Sequence, residues 1–199
     1  MTGRLEVIAG PMFSGKTSEL VTRIEKAQIA GMTTMVFRPA RDTRLQADKV
    51  QSRNGRSFYA MILPTDLENS DDFLALLGDK FVVVAFDEAQ FFDNKLIGLV
   101  RDLLSKGTRV IAAGLDLDYA SEPYGPMPRL LALADVVDKY TAVCMVCRSL
   151  YATRTQRLID GQPAPLGDRD VVDGEFPVRT PDGNATYESR CVQCYVEPR

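Results

Sequence analysis

An eight-residue motif near the N-terminus constrains the fold of this chain more than any other feature. Residues 10–17 read Gly-Pro-Met-Phe-Ser-Gly-Lys-Thr and directly follow the apolar run 5–9. They match G-x-x-x-x-G-K-[ST], the phosphate-binding loop (P-loop) that joins a strand to a helix. Glycines let the backbone wrap around phosphates, and the first N–H groups of the helix point at the anion. A chance glycine turn would not require strand, loop and helix in this order.

The last two residues of this motif have defined roles in nucleotide binding. Lys16 can reach the β- and γ-phosphates, and the Thr17 hydroxyl can ligate Mg²⁺. We therefore predict a nucleoside triphosphate site. It is formed by Gly10, Pro11, Met12, Phe13, Ser14, Gly15, Lys16 and Thr17.

Strands and helices are predicted to alternate along the first part of the chain. The run Phe-Val-Val-Val-Ala-Phe at residues 81–86 is typical of a central parallel strand covered on both faces. The predicted strands are residues 5–9, 34–37, 57–63, 81–86 and 108–113, and the predicted helices are residues 17–30, 71–77 and 93–105. Residues 38–56 and 119–128 are predicted as loops, the first of them mobile. An α/β fold follows: a P-loop (RecA-like), mainly parallel sheet with helices on both faces.

Charge and the N-terminal residues narrow the class of protein. The net charge is −3, from 24 Lys and Arg against 27 Asp and Glu, so nucleic acid is not the expected partner. The N-terminus lacks the apolar core of a signal peptide, and no apolar run approaches membrane length. We expect a cytoplasmic protein with no membrane partner.

Two consecutive acids, Asp87 and Glu88, end the predicted strand 81–86. A carboxylate at such a strand tip is the usual Walker B arrangement, so Asp87 is predicted to hold Mg²⁺ through water. The chain contains no histidine, and a general base must therefore be a carboxylate, lysine, cysteine or tyrosine. Glu88 is the predicted base that accepts a proton from an attacking hydroxyl. The alternative is that both acids only solvate a strand end.

Asp42-Thr43-Arg44 lies in the polar segment after the second predicted strand. Arg44 could lean over the γ-phosphate and stabilise charge during transfer, and Asp42 could contact a metal-bound water. A solvated, charged loop explains the same pattern.

Four cysteines form two Cys-x-x-Cys pairs, Cys144 with Cys147 and Cys191 with Cys194. Together they supply four thiolates for a tetrahedral zinc, which would be structural because no coordination position stays open. The alternatives are buried free thiols or disulfides, and disulfides fit a cytoplasmic protein poorly. We predict a nucleotide-binding domain at residues 1–142 and a zinc-binding domain at residues 143–199, which carries a long loop between the pairs.

Six motifs occur along the chain in order and together resemble one enzyme family. They are the P-loop, Asp42-Thr-Arg44, Asp87-Glu-Ala-Gln-Phe-Phe92, Ala113-Gly-Leu-Asp116 with Tyr119, Thr141-Ala-Val-Cys-Met-Val-Cys147 and Tyr187-x-x-x-Cys-x-x-Cys-Tyr195. This combination is similar to the zinc-containing thymidine kinase family, the cellular type rather than the herpesvirus type. The motifs span nearly the whole chain, and their joint occurrence is highly specific.

The resemblance implies transfer of the γ-phosphoryl group of ATP to the 5′-hydroxyl of thymidine, and of deoxyuridine, in nucleotide salvage. It also implies Mg²⁺ at the phosphate site, a structural zinc, a homotetramer and feedback inhibition by dTTP. The implied catalytic residues are Glu88, which matches the family's base, with Lys16, Arg44 and Asp87. Asp42, Asp87 and Gln90 join the P-loop in the implied site for ATP and Mg²⁺.

The segment between the cysteine pairs matches the family's lasso, a loop that covers the nucleoside and contacts the base largely through backbone groups. Flat and apolar side chains together with lasso positions form the implied thymidine pocket: Met12, Phe91, Leu115, Tyr119, Tyr124, Thr155, Val172, Gly174 and Tyr187. Such a pocket suits a pyrimidine with a methyl group. Without the resemblance, ordinary core packing explains each of these side chains equally well.

The chain departs from the family pattern at two places. Residues 52–55, Ser-Arg-Asn-Gly, stand where many relatives carry a histidine, which leaves the role of Arg53 open. The lasso is also longer, with residues 175–184 as an insertion, so the alignment between Asp168 and Tyr187 is open as well.

Two other classes of protein share parts of the pattern. A RecA-like nucleic-acid motor would share the Asp-Glu-Ala-Gln box and a zinc ribbon. The chain has only one short catalytic domain, however, and its net charge is negative, which argues against such a motor. A GTPase-like switch would share the P-loop, but the guanine-binding N-K-x-D motif is missing from the sequence.

Overall fold

Fourteen helices and strands are found in the part of the chain that the computed structural model describes, residues 3–40, 49–51, 57–67, 82–166 and 185–198. In chain order they are β1 (Arg4–Ala9), α1 (Lys16–Ile29), β2 (Thr34–Pro39), β3 (Lys49–Gln51), β4 (Ser57–Tyr59), β5 (Met61–Leu63), β6 (Val83–Phe86), α2 (Leu96–Ser105), β7 (Arg109–Gly114), α3 (Met127–Leu133), β8 (Val136–Lys139), β9 (Arg154–Ile159), β10 (Gln162–Pro163) and β11 (Ala185–Arg190). A short 3₁₀ turn, Ala89–Phe91, follows β6.

Six of these strands form a sheet in the order β5-β2-β6-β7-β1-β8, and each of its pairings is parallel. Successive residues of a strand point to opposite faces. Val84 and Phe86 accordingly pack in the apolar cluster that includes α2, whereas Ile8 and Ile111 pack in the cluster that includes α1. Both faces of the sheet are therefore covered, and the predicted α/β fold with a mainly parallel sheet is confirmed.

Helix α2 begins at Leu96, three residues later than the sequence pattern predicts. The Asp93 N–H donates to the Thr65 carbonyl at 2.8 Å, and the Asp93 carboxylate accepts from the Lys95 N–H at 2.9 Å. An aspartate that bonds to the backbone two residues on favours a turn over a helix. The prediction that the helix starts at Asp93 is therefore wrong.

Two segments predicted as loops contain regular structure. Segment 38–56 includes the end of β2 and also β3, which pairs antiparallel with β4. Segment 119–128 includes the start of α3, with Pro128 in the first turn, where a helix needs no N–H donor. The predicted strand 57–63 is divided into β4 and β5. The predicted helix 71–77 and Phe81 lie outside the described residues.

The C-terminal part forms a second sheet, in which β9 pairs antiparallel with β10 and β11 within the described residues. Along β11, buried residues alternate with half-buried ones, as expected for a strand with one covered face. The prediction of a long loop here is wrong for β9, β10 and β11, and residues 167–184, including the implied insertion, lie outside the described part. The domain boundary after residue 142 stays a prediction. No helix in the described ranges is long and apolar enough to cross a membrane.

Candidate active site

The P-loop makes a tight turn as it leaves β1. Gly10 has a φ of 146°, and a Cβ at this position would lie 2.5 Å from the carbonyl oxygen of Tyr140. No side chain fits at that distance, so the loop requires glycine here. Phe13 also has a left-handed backbone, with φ 68°, which is uncommon for a residue with a side chain.

Side chains of the loop converge on one of its own carbonyl groups. Ser14 Oγ and Lys16 Nζ each donate to the Pro11 carbonyl at 2.8 Å, and both residues are buried. Helix α1 begins at Lys16, and its N-cap residue, Gly15, has no side chain that could accept from the first N–H groups. The helix N-terminus thus retains the partial positive charge that attracts phosphate.

Asp87 and Glu88 directly follow β6, at the sheet edge where the P-loop also begins. The Asp87 N–H donates to the Phe37 carbonyl at 2.9 Å, which fixes the end of β6 against β2. Glu88 has a left-handed backbone with φ 49°, and both acidic residues are buried, with exposed fractions of 6% and 8%. Strained backbone at a buried acid is typical of functional sites.

Gln90 lies between Glu88 and the chain that follows β7. Its Nε2 donates to Glu88 Oε2 at 2.6 Å, and its Oε1 accepts from the Leu115 N–H at 3.0 Å. Two residues of the predicted site are therefore joined through a third one.

Four of the residues implied in the thymidine pocket lie together. Tyr187 on β11 packs against Met12, Phe91 and Tyr124, and the P-loop residue Phe13 joins the same cluster. The rings of Phe91 and Tyr124 meet edge to face, with centroids 5.9 Å apart. Thr155 on β9 is adjacent, since its Oγ1 accepts from the Met12 N–H at 3.0 Å. Tyr187, Met12, Phe13, Phe91 and Tyr124 come from distant parts of the sequence and form one apolar and aromatic cluster at the P-loop, which we call the aromatic cluster.

Tyr119 is almost fully buried and contacts the C-terminal part at three points. The guanidinium of Arg157 lies 5.4 Å from the Tyr119 ring centroid, and the Tyr195 hydroxyl donates to the Tyr119 carbonyl at 2.7 Å. The Tyr119 hydroxyl donates to the Pro165 carbonyl at 3.4 Å. Leu115 is also buried. Within the described residues, neither Tyr119 nor Leu115 belongs to the aromatic cluster.

Sequence reasoning missed two charged residues of this region. Lys139, the last residue of β8, lies 2.8 Å from the buried carboxylate of Asp116, which follows β7. Arg157 was not singled out either. The sequence analysis named Asp116 as part of the Ala-Gly-Leu-Asp motif, but nothing in the sequence marked Lys139, because β8 itself was not predicted. Asp42, Arg44, Arg53, Val172 and Gly174 lie outside the described residues.

The four cysteines form a compact cluster. Their sulfur atoms all lie within 4.8 Å of one another, and the Sγ atoms of Cys147 and Cys191 are 3.7 Å apart. Four thiolates about 2.3 Å from a tetrahedral zinc would be separated by about 3.8 Å. Both the spacing and the donor set therefore fit a structural Zn²⁺.

The thiol environments agree with metal binding. Burial disfavours the Cys144 thiolate, but backbone N–H groups of Cys147, Cys191 and Val146 outweigh it and lower the pKa of Cys144 to about 6. Hydrogen bonds with the Cys147 and Cys191 side chains raise the pKa of Cys194 to about 12. Cys144 therefore ionises readily, whereas Cys194 does not. A bound cation would favour the thiolate form of all four cysteines.

A cleft of about 460 Å³ is lined in part by Phe91 and Tyr124. Its wall carries the carboxylates of Asp66, Asp93 and Glu122, so the cleft would repel phosphate. The P-loop stays the predicted triphosphate site.

A family model described as thymidine kinase matches residues 3–195.

Proposed function

Since the chain belongs to the thymidine kinase family, we propose that it transfers the γ-phosphoryl group of ATP to the 5′-hydroxyl of thymidine. As a thymidine kinase, the enzyme must bring a triphosphate and a nucleoside into contact. Met12 and Phe13 carry the proposal, because both residues belong to the P-loop and pack in the aromatic cluster. A nucleoside on that cluster would adjoin a triphosphate on the P-loop.

The P-loop residues bind the phosphates in this proposal. Lys16 and the N-terminus of α1 attract the β- and γ-phosphates, while Thr17 and Asp87 would hold Mg²⁺, which neutralises phosphate charge when bound. Support comes from the order of the elements, because β1, the P-loop and α1 follow one another and β6 ends at the same sheet edge. Arg44 and Asp42 keep the roles that the family resemblance implies.

Glu88 acts as the general base in this proposal. Its carboxylate accepts the proton of the 5′-hydroxyl while the γ-phosphoryl group leaves ADP and bonds to the 5′-oxygen. Glu88 is buried, it lies at the edge that carries the P-loop, and the chain has no histidine for this task.

The aromatic cluster receives the pyrimidine in this proposal, with lasso groups, including Val172 and Gly174, on the base edge. We extend it to deoxyuridine as a second substrate, a role in nucleotide salvage in the cytoplasm, inhibition by dTTP and a homotetramer. The family resemblance supports these extensions, and the acidic balance argues against a nucleic-acid partner.

Thymidine-dependent ATP turnover tests the proposal. The purified protein is incubated with ATP and Mg²⁺, with either thymidine or single-stranded DNA added, and ADP and thymidine monophosphate are measured. We expect equal amounts of both products with thymidine, and no stimulation by DNA. Turnover that requires DNA and yields no thymidine monophosphate would indicate a nucleic-acid motor instead.

A further inference from the structure

The side chain of Gln90 is held at both ends of its amide. It is 2% exposed, and it spans from the carboxylate of Glu88 to the backbone N–H of Leu115. Leu115 follows the last residue of β7 and is one of the residues implied in the nucleoside pocket. The amide thus connects the proposed base with the backbone beside the proposed acceptor site.

Only one orientation of this amide satisfies both contacts. The Leu115 N–H can only donate, so it requires the amide oxygen, and the NH₂ group is then directed at Glu88. The reversed amide would set a donor against a donor and an oxygen against a carboxylate. Because the NH₂ group only donates, it stabilises Glu88 as a carboxylate, the form that a general base needs.

The space that the Gln90 amide occupies depends on a glycine at residue 114. A Cβ at Gly114 would lie 2.6 Å from Gln90 Oε1 and 2.8 Å from the sulfur of Met127. Any side chain at residue 114 would therefore displace the amide. The missing side chain of Gly114, the last residue of β7, leaves space that the Gln90 amide occupies.

We propose that Gln90 is a positioning residue for catalysis, which holds the Glu88 carboxylate ionised and oriented and couples it to the Leu115 backbone. The inference rests on the proposed role of Glu88 as the base. It differs from the ATP-binding role that the family resemblance implies for Gln90, because the described contacts of the amide are with Glu88 and Leu115.

Two substitutions distinguish the hydrogen bond to Glu88 from the hydrogen bond to the Leu115 N–H. Gln90→Met keeps the length of the side chain and removes both hydrogen bonds. Gln90→Glu keeps an acceptor for the Leu115 N–H but sets a second carboxylate against Glu88. We expect each to lower kcat for thymidine phosphorylation by ~10–100-fold, while KM for ATP changes by less than about twofold, because a displaced base costs rate rather than ATP binding.

Gln156→Met is the matched control. Gln156 is fully buried, and both ends of its amide also form hydrogen bonds, at 2.9 and 3.1 Å to the backbone of Val196 and at 3.5 Å to the Arg157 carbonyl. This variant should keep the wild-type kcat, even if thermal unfolding shows a similar loss of stability.

The outcomes distinguish this inference from the proposed function. If wild-type protein does not phosphorylate thymidine, the proposed function fails. If wild-type protein is active and Gln90→Glu retains its kcat, the amide serves only Leu115 and the inference fails. A loss confined to KM for thymidine in both Gln90 variants would overturn it too. Should Gln90→Met not fold, Gln90→Glu decides alone.

Discussion

The environment of Glu88 differs from that of an ordinary surface carboxylate in three ways. It is buried, its backbone is left-handed, and a neighbouring amide donates to it at 2.6 Å. A carboxylate removed from most of the water but stabilised by a fixed donor can remain ionised and still accept a proton from a substrate. These properties belong to the residue and its immediate contacts, so a single substitution can test them.

We expect Glu88→Gln to lower kcat by ~10²–10⁴-fold, the usual contribution of a general base, while affinity for ATP stays close to wild type. The amide keeps the size of the side chain but cannot accept the proton. Steady-state kinetics with thymidine, together with calorimetric titration by ATP, measure both quantities. Glu197→Gln is the control, because Glu197 is exposed and is not among the residues of the proposed site. Near wild-type turnover in Glu88→Gln would reject the assignment.

At the scale of elements, the sequence predicted the structure best where burial is continuous. Strand β6, predicted as 81–86 and observed at Val83–Phe86, and the helix after the P-loop were identifiable because apolar residues recur with the period of a buried strand or a one-sided helix. Helix α3 was missed because prolines at positions 123, 126 and 128 favour a loop, although a helix accepts proline in its first turn. Strand β8 is short and lies at the sheet edge with alternating partial exposure, so its apolar signal is weak.

A partly buried ion-pair network holds several of these elements together. Glu6 on β1 accepts hydrogen bonds from Arg23 on α1 and from Arg109 on β7, at 2.8–3.0 Å. Arg23 also donates to Asp138 on β8 at 2.6 Å. Burial alone would raise the pKa of Glu6, but the hydrogen bonds and charges of Arg109 and Arg23 lower it below its usual value. Folding therefore favours ionised Glu6.

The depressed pKa of Glu6 predicts a specific dependence of stability on pH. Its contribution is complete above about pH 4.5, the pKa of the unfolded chain, and is lost as the pH falls through the lower pKa of the folded state. We expect Glu6→Gln to reduce the free energy of unfolding by about 1.5–3 kcal/mol at neutral pH. As the pH falls through the lowered pKa of folded Glu6, the difference from wild type should shrink, because Glu6 of the wild type then becomes protonated and loses its charge.

Urea unfolding over this range measures the effect, with Glu197→Gln as a control at an exposed position. A Glu6→Gln deficit that stays the same at every pH would show that the loss comes from packing rather than from charge.

The cysteine cluster should determine the stability of the C-terminal strands. Binding energy at a structural zinc site contributes directly to folding, so Cys191→Ser should reduce zinc content and lower the unfolding temperature. ATP affinity should change less, because the P-loop belongs to the parallel sheet. Elemental analysis of protein purified without chelator should give one zinc per chain. Val192→Ser is the control, since this exposed neighbour offers no ligand. Absence of zinc from the wild-type protein would contradict the site.

At the scale of the whole molecule, the candidate site depends on contacts between distant segments. The P-loop and the cysteine pairs were evident from local patterns, because their spacing alone implies their chemistry. No local pattern shows which residues meet across the sheet edge. The sequence therefore did not predict the contact of Thr155 with the Met12 N–H or the hydrogen bonds of Gln90 to Glu88 and Leu115. The aromatic cluster was implied only by family resemblance, because each of its members also reads as ordinary core.

The nucleoside preference should follow from this assembled pocket. Thymidine differs from deoxyuridine only by a methyl group, and an apolar surface distinguishes a methyl group by ~1–3 kcal/mol. Deoxycytidine presents a different hydrogen-bonding edge, and an unpaired buried polar group costs more. We expect kcat/KM to be highest for thymidine, about tenfold lower for deoxyuridine and at least ~10³-fold lower for deoxycytidine. Tyr187→Leu should weaken the preference for thymidine over deoxyuridine, whereas Tyr151→Leu, at an exposed tyrosine, should not. Comparable kcat/KM values for thymidine and deoxycytidine would refute this account of the pocket, because the base edge would then go unrecognised.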